Sequence, residues 1–412
     1  MKIRHWLIAA FFCMSTLISC THTYTPTSQD FLRENWMHNV NLNPMNWTHG
    51  ADRWFFTGEP TPMERYANRA PSDTAMSVTE VKVPQFTHIK IDGCFRVQLT
   101  GGQPHNALVI LGPNEALHQI VVQVWGDTIV VTQVHDKDPK KPMANLKNVI
   151  VRIAVSDLRH LTVRGGVDLE GRLLVSDGMV IEANNSGTVL LNGHINLLKV
   201  HNSGPGTVSV IGAYTPCLDI SVGGSGTVNV SGRVGIQSVY NVGAGKVNII
   251  GADSRSLVVN ACGNSFTAIA GYVNLKRLNA ADNACVYIYW VKSPCASVTL
   301  SGNARVGLAG TVGSLDLLVA DNARFGGQYL HGRNIEVQTH GSAHANVAAD
   351  RKIFASAVDK SSIYSFGSSA IVSSYTAGYG TIVPVWNATA MPFPAYAPQF
   401  MTSVNNPPRS FK

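Results

Sequence analysis

The sequence predicts an all-β protein built mainly as a right-handed parallel β-helix, with about 19–20 residues in each coil. Small, turn-forming residues followed by an apolar residue recur at that period, and short β-branched runs lie between them. A crossover helix alone needs about a dozen residues, so a coil of this size has no room for a strand–helix unit. The handedness follows from the general rule for parallel crossovers.

The period is measured at an anchor, the apolar residue that follows each small polar turn, as Val189 follows the turn at 185–188. Stacked at about 4.8 Å per coil, eleven coils make a rod about 50 Å long. Eleven anchors recur at this period: Leu169, Val189, Val208, Val228, Val247, Phe266, Val286, Val306, Phe325, Ala345 and Tyr364.

Columns of corner residues accompany the anchors, because equivalent positions of successive coils stack. In the later coils asparagine stands three residues before the anchor, where its side chain can bond the local backbone: Asn283, Asn303 and Asn322. A second glycine follows several anchors by four residues, which gives each coil at least two corners: Gly193, Gly212, Gly232, Gly251 and Gly310. Two residues before the anchor stand Gly187, Gly206, Gly226, Gly245, Asn264, Ala284, Ala304, Ala323 and Ala343.

Residues 1–20 have the organisation of a bacterial lipoprotein signal peptide. A basic head with Lys2 and Arg4 precedes an apolar core that is too short to span a bilayer comfortably. The final residues 17–20, Leu-Ile-Ser-Cys, resemble a lipobox, which implies a diacylglycerol on Cys20 and attachment to a membrane. Thr21 follows in place of the aspartate that retains lipoproteins in the inner membrane, so we expect the outer membrane. A plain secretory signal with an incidental cysteine is the alternative.

Four further regions follow the signal peptide. Residues 21–77 form a tether or a cap, 78–164 an irregular β-rich part, 165–383 the β-helix, and 384–412 a tail rich in proline and aromatic residues. An open end of a solenoid exposes unpaired strand edges, so we expect the ends to be covered.

Composition and charge argue against nucleic-acid binding. Only 14% of residues are charged, and 32 Lys and Arg against 25 Asp and Glu give a formal charge of +7. The basic residues are scattered, with one cluster at Lys137, Lys140 and Lys141, so they form no stripe along which a nucleic acid could bind.

The cysteines beyond the signal peptide include no Cys-x-x-Cys pair, and their odd number leaves at least one thiol without an intramolecular partner. We expect most of them to be buried apolar fillers. Cys217 and Cys295 both lie nine residues past an anchor, and this shared register favours a packing role. The five are Cys94, Cys217, Cys262, Cys285 and Cys295.

No motif carries recognisable catalytic or cofactor chemistry, so we predict no catalytic residue, metal site or cofactor. The segment 243–246, Gly-Ala-Gly-Lys, lacks the first glycine and the Ser or Thr of a phosphate loop. His331, His340 and His344 are the only clustered histidines, and we interpret them as surface residues on different sides of neighbouring coils.

Parallel β-helices also carry polysaccharide lyases and hydrolases, whose active sites group carboxylates on one face. The best candidates here are Asp282 and Asp321, two coils apart, with Gly302 between them. The Asp-Asn-Ala sequence at both places is typical of a corner, because Asp and Asn tolerate unusual backbone angles.

The segment 86–97, FTHIKIDGCFRV, followed by coils of the Ser-Gly-x-Gly type, resembles the head GIN domain family of auto-transporter adhesins. The resemblance covers residues 80–380 and implies a two-part β-helical fold on an exported chain, often a lipoprotein, with an adhesive role. It supplies no catalytic residue. The pattern changes after about residue 260, where alanine and asparagine replace glycine.

The sequence therefore predicts a lipid-anchored, non-enzymatic envelope protein that presents a long strand-built face to a glycan, a protein or another copy of itself. A carbohydrate-active enzyme on the same fold is one alternative. A structural lipoprotein that faces the periplasm is the other.

Overall fold

The computed structural model describes residues 76–134, 146–367 and 370–385. All of them lie within one compact unit, Arg69–Ala390. The predictions for the signal peptide, for Cys20, for nearly all of 21–77 and for the tail beyond residue 385 fall outside these ranges. No helix in the described ranges has the length and apolar character needed to cross a bilayer.

The described chain consists of strands and one short helix. Their bounds are β1 Met76–Val81, β2 His88–Gly93, β3 Phe95–Thr100, β4 Ala107–Pro113, α1 Asn114–Leu117, β5 Ile120–Trp125, β6 Thr128–Gln133, β7 Leu146–Ala154, β8 His160–Gly165, β9 Asp168–Asn185, β10 Thr188–Asn202, β11 Thr207–Val222, β12 Thr227–Gly243, β13 Lys246–Gly263, β14 Phe266–Ala280, β15 Cys285–Leu300, β16 Arg305–Val319, β17 Arg324–Thr339, β18 His344–Asp359, β19 Ser362–Phe366, β20 Ala370–Gly378 and β21 Thr381–Val385.

The predicted parallel β-helix is confirmed, with about 12 turns preceded by a less regular β part. Each strand run from β9 to β18 is one coil, and it pairs in parallel with the coils before and after it. Val189, for example, lies opposite Leu169 on one side and Val208 on the other.

Each coil has three sides, defined here on β10. The anchor face is 188–192, the narrow side is 193–196 and the back face is 197–202. Side chains alternate along them, and the inward ones, Val189, Leu191, Ile195, Leu197 and Val200, are fully buried. Burying a side chain of this size contributes about 1.5–3 kcal/mol, so the stacked aliphatic residues of all coils hold the rod together.

The expected anchors at Phe266 and Tyr364 are wrong by one residue. Thr267 pairs with Val247, and Ile363 pairs with Ala345. Thr267 is polar but fully buried, because its Oγ1 accepts a hydrogen bond from Asn241 Nδ2 at 3.1 Å. A search for apolar residues therefore selects the outward neighbour Phe266. The residue two positions before the anchor in that coil is consequently Ser265 rather than Asn264. The column of anchors also extends beyond the expected eleven residues, to Ile382.

From Leu169 to Val286 longer and shorter coils alternate, and each longer coil contains one extra residue. Where the narrow side meets the back face, two residues of a long coil lie opposite one residue of the next, as Pro216 and Cys217 lie opposite Gly235. A buried hydroxyl residue precedes each such pair in every second coil, namely Ser176, Thr215 and Ser254. The equivalent Ser293 of β15 is also buried, although the residues after it pair one to one with β16. The structural repeat in this region is therefore two coils.

The part before β9 both begins the rod and covers its end. The strands β2 and β3 form a first coil, paired in parallel with β8 and β9 on one side and with β6 and β7 on the other. Beyond these, β4 pairs antiparallel with β7, β1 with β4, and β5 with β6. The change to antiparallel pairing ends the solenoid, because an antiparallel strand cannot continue a parallel coil.

We call the second glycines of the coils, which follow the anchors by four residues, bend glycines. Replacing one of them should weaken the fold. Gly251 has φ +82, and a Cβ there would lie 1.9 Å from the carbonyl oxygen of Gly232 in the preceding coil. We expect Gly251→Ala to lower the free energy of unfolding in urea by at least about 2 kcal/mol, since the left-handed backbone alone costs about 1–2 kcal/mol. The control is Gly223→Ala, because no atom lies within 4 Å of a Cβ at Gly223. Equal stability of the two variants would contradict this account.

Candidate functional site: an exposed ridge on the narrow side

A column of exposed side chains runs along the narrow side of the rod, and we call it the ridge. It takes one residue from each of the nine coils from β10 to β18, and at about 4.8 Å per coil it is about 38 Å long. The ridge residues, all of them exposed, are His194, Tyr214, Arg233, Asp253, Tyr272, Lys292, Thr311, His331 and Asp350.

The bend glycines explain why these residues stand clear of the rod. Gly232 and Gly310 immediately precede the ridge residues Arg233 and Thr311. A Cβ at either glycine would lie 2.0 to 2.1 Å from a carbonyl oxygen of the preceding coil, so no side chain fits there. A ledge of bare backbone therefore runs beside the ridge, and at Gly212, Gly232 and Gly251 this backbone is exposed.

The first half of the ridge combines aromatic rings with an ion pair. The rings of His194 and Tyr214 are stacked, with centroids 5.3 Å apart and planes 22° from parallel. In the next coils Arg233 Nε lies 3.2 Å from Asp253 Oδ2. Asp253 in turn lies opposite Tyr272. The rings of Tyr214 and Tyr272 thus lie on either side of an exposed hydrogen-bond donor, Arg233, and an exposed acceptor, Asp253.

The second half of the ridge is polar. Lys292 lies opposite Thr311, and Thr311 lies opposite His331. His331 Nδ1 lies 3.4 Å from Asp350 Oδ1. Exposed pairs of this kind contribute only about 0–1 kcal/mol to stability. The fold therefore does not require the ridge residues, which leaves their chemistry available for binding.

The four predicted corner glycines lie where the back face of one coil turns into the anchor face of the next. None has a left-handed φ. A Cβ at Gly187 or Gly206 would instead lie 2.2 or 2.3 Å from a carbonyl oxygen of the preceding coil, and at Gly226 the distance would be 2.4 Å. At Gly245 the closest atom would be Cγ1 of Val222, at 2.4 Å. These positions are structural, because close approach of the coils excludes any side chain.

The three predicted corner asparagines lie in successive turns and form one hydrogen-bonded chain. Asn303 Nδ2 donates to Asn283 Oδ1 at 3.0 Å, and Asn322 Nδ2 donates to Asn303 Oδ1 at 3.3 Å. All three are exposed, so the chain lies along one outer edge of the rod.

The carboxylates considered for catalysis belong to the same corner and bond the backbone. Asp282 and Asp321 have φ of 59° and 62°, and Gly302 between them has φ 68°. Asp321 Oδ2 accepts a hydrogen bond from the N–H of Gly302 at 2.8 Å, and Asp282 Oδ2 accepts one from Gly263 at 3.0 Å. Each carboxylate therefore accepts a hydrogen bond from a backbone N–H of the preceding coil, which is a structural role.

The three clustered histidines are not brought together into a metal site. His331 pairs with Asp350 on the ridge, whereas His344 Nδ1 lies 2.8 Å from Ser362 Oγ and its Nε2 lies 3.0 Å from Asn346 Oδ1. Within the described residues, no group of three or more His, Cys, Asp or Glu side chains could hold a metal ion.

The expectation that most cysteines are buried fillers is wrong. Cys217 and Cys295 are exposed, Cys94, Cys262 and Cys285 are partly buried, and no disulfide joins any of these five described residues. The shared register of Cys217 and Cys295 comes from the two-coil repeat, which places both immediately after a proline where the narrow side meets the back face. Burial raises the pKa of the Cys285 thiol, and the nearby Arg305 opposes that shift.

The ridge was not found from the sequence, although its residues lie a fixed five or six positions past the structural anchors. The columns that the sequence did predict were detected because residues of similar size or polarity recur in them. The ridge contains aromatic, basic, acidic and hydroxyl residues, so only its exposure in the structure makes it visible.

Comparison with known proteins gives one family and a set of solved structures. Residues 85–276 and 273–369 match the family described as "Putative auto-transporter adhesin, head GIN domain". No curated protein matches the chain significantly.

The solved structures are distant in sequence. A crystal structure of a "Putative lipid binding protein" from Parabacteroides distasonis is 14% identical and covers 76% of this chain and 98% of its own, with a TM-score of 0.27. A "putative adhesin" from Bacteroides fragilis is 17% identical and covers 76% and 99%, with a TM-score of 0.25. One from Parabacteroides merdae is 13% identical and covers 76% and 98%, with a TM-score of 0.22.

Removing a corner carboxylate should destabilise the rod. Asp321→Ala loses the hydrogen bond to Gly302 and places alanine at a left-handed φ, so we expect a loss of about 1–3 kcal/mol in urea unfolding. Asp321→Gly keeps the backbone conformation and should lose less. Asp316→Ala on the back face is the control, because Asp316 is exposed and away from the corner, and it should stay within about 0.5 kcal/mol of wild type. An Asp321→Ala variant as stable as this control would contradict the structural role.

Stability should fall in mild acid through His344. Burial, chiefly, and the charge of Arg324 hold the pKa of His344 below its ordinary 6.5, although the hydrogen bond to Asn346 opposes the shift. The unfolded chain then binds a proton more readily than the folded chain, so stability declines as pH falls from about 6.5 through the lower folded pKa. Urea midpoints at pH 7.5 and pH 5 should differ less in His344→Asn than in wild type. Equal differences would contradict the assignment.

Proposed function

Because the chain belongs to the family described as "Putative auto-transporter adhesin, head GIN domain", we propose that it is an exported, lipid-anchored protein of the bacterial cell envelope that binds an external partner without catalysing a reaction. The β-helix is its rigid scaffold. The ridge is the surface that contacts the partner.

The observation that carries this proposal is the continuous exposure of the ridge through nine coils. Solenoids bind along extended surfaces, because each repeat adds one more position to the same side. The inward residues and the corners are constrained by packing and by backbone hydrogen bonds. The ridge residues are subject to neither constraint, and they combine rings, donors and acceptors in one line.

The roles of the carboxylates support binding rather than catalysis. A glycosidase needs an acid and a second carboxylate on opposite sides of the scissile bond. Asp282 and Asp321, the pair with the most suitable positions in sequence, instead accept backbone hydrogen bonds at a corner. We therefore favour an adhesin-like scaffold over a lyase or hydrolase.

The anchor is tested by changing the lipidated residue. We expect Cys20→Ala to abolish incorporation of labelled fatty acid and to move the protein from the membrane fraction to the soluble fraction, because the diacylglycerol holds it at the bilayer. Cys217→Ala is the control, since this cysteine lies on the solenoid, and it should stay with the membrane. Membrane retention of an unlabelled Cys20→Ala protein would contradict the anchor.

The binding surface is tested with paired variants of matched chemistry. The mature chain, immobilised on beads, should adhere to bacterial and host-cell surfaces, and Tyr214→Ala with Arg233→Ala on the ridge should reduce that adherence several-fold. The control is Tyr240→Ala with Arg277→Ala, because both residues are exposed but lie on the back face. The same chain, incubated with a polysaccharide panel, should release no new reducing ends or unsaturated sugars.

Two results would overturn the proposal. One is equal adherence of the ridge variant and wild type when both have the same melting temperature. The other is time-dependent cleavage of any polysaccharide in the panel.

A further inference from the structure

The dimensions of the ridge restrict the class of partner. It is one side chain wide and about 38 Å long, because each coil adds one residue. A stable interface with a folded protein buries about 800 Å² on each side and involves roughly 20–30 residues, more than the nine that the ridge provides. A linear polymer that lies along the rod axis needs only a narrow strip.

The charges of the ridge restrict the polymer further. Arg233 and Lys292 are balanced by Asp253 and Asp350, so with neutral histidines the ridge has no net charge. Nucleic acids and other polyanions are bound chiefly by basic surfaces that release counterions. A ridge that alternates cations with carboxylates does not select such chains, and it would repel them at Asp253.

The chemistry of the first half of the ridge suits neutral sugars. Tyr214 and Tyr272 are 50% and 48% exposed, so a large part of each ring is accessible. They lie three coils apart, about 14 Å at the spacing of stacked coils, and the Arg233–Asp253 pair lies between them. The C–H face of a pyranose packs on an aromatic ring, while the guanidinium donates to sugar hydroxyls and the carboxylate accepts from them.

The bare ledge beside the ridge supplies the remaining space. Gly212, Gly232 and Gly251 are exposed and carry no side chain that could hold a polymer away from the tyrosines. The ledge runs parallel to the ridge through these coils. A chain of sugar rings can therefore lie against the backbone and contact the rings from one side.

We propose that the ridge binds an unbranched, neutral polysaccharide whose chain runs parallel to the rod axis, with its central contacts between Tyr214 and Tyr272. This inference rests on the proposed binding function and names its ligand class. Contact with several successive sugars gives specificity for linear chains. Many anchored copies on one cell would add avidity to modest single-site affinity.

The test is calorimetric titration of the mature chain with cello-, manno- and β-1,3-gluco-oligosaccharides of two to eight units. We expect at least one series to bind, with an affinity that rises with length until the chain spans both tyrosines and then levels off. Tyr214→Ala and Tyr272→Ala should each weaken binding by about tenfold, as expected for loss of one aromatic stacking contact. Arg233→Gln should also weaken it, whereas added salt should change wild-type binding little because the ligand is neutral.

The matched control is Tyr240→Ala. Tyr240 is 52% exposed, nearly the same as the ridge tyrosines, but it lies on the back face. It should leave oligosaccharide affinity unchanged. Equal losses in Tyr240→Ala and Tyr214→Ala would overturn the inference, as would failure of every neutral series to bind or binding only to polyanions with strong salt dependence.

Failure of the inference can be distinguished from failure of the proposed function. If bead adherence depends on the ridge but is abolished by protease treatment of the target surface and is unaffected by periodate, the partner is a protein. The sugar assignment then fails while the binding function stands. If adherence does not depend on the ridge, both fail.

Discussion

The close stacking of coils is the constraint on which the rest of the structure depends. Each coil donates backbone hydrogen bonds to the one before it, at the corners as well as along the strands, as Gly206 N–H does to the carbonyl of Asn185 at 2.7 Å. At the corners this brings carbonyl oxygens so near that a Cβ does not fit. In the early coils a corner position is therefore filled by glycine or by a side chain that bonds the neighbouring backbone. Asn185 is such a residue, because it both donates to and accepts from Val167. From Ala284 to Ala343 the equivalent position holds a buried alanine instead.

This constraint divides the residues of a coil into three groups. Inward residues are aliphatic because they fill a narrow core, and corner residues are limited to types that tolerate close approach or left-handed backbone. Only the outward residues escape both limits. The ridge belongs to this last group, so its residue types can vary while the rod remains folded.

The part of the fold that repeats could be predicted from the sequence, because stacking forces equivalent residues into columns. The prediction failed where a polar side chain replaces an apolar one with its hydrogen bonds satisfied. Thr267 is such a case: it is buried and bonded to Asn241, and it lacks the apolar character by which a core position is recognised. The anchor Ile363 was missed for a different reason, because the coil from Ala345 to Ile363 has 18 residues and is shorter than the expected period. The exposure of the Cys217 side chain could not be predicted from the sequence either, because it depends on the extra residue in the long coils.

Of the candidate site, the sequence could predict the scaffold but not the surface. Positions with the same structural role in each coil have similar residue types, whereas the residues of the ridge have in common only their position in the coil. The alternation of long and short coils has a separate consequence for how such a rod can change in size. Loss of one short coil, such as β12, would set two long coils against each other, with Thr215-Pro216-Cys217 meeting a second extended corner instead of Gly235, whereas loss of one long coil would bring two short coils together. Only the addition or loss of one long and one short coil together preserves the alternation, so the natural unit of length in this region is the pair of coils.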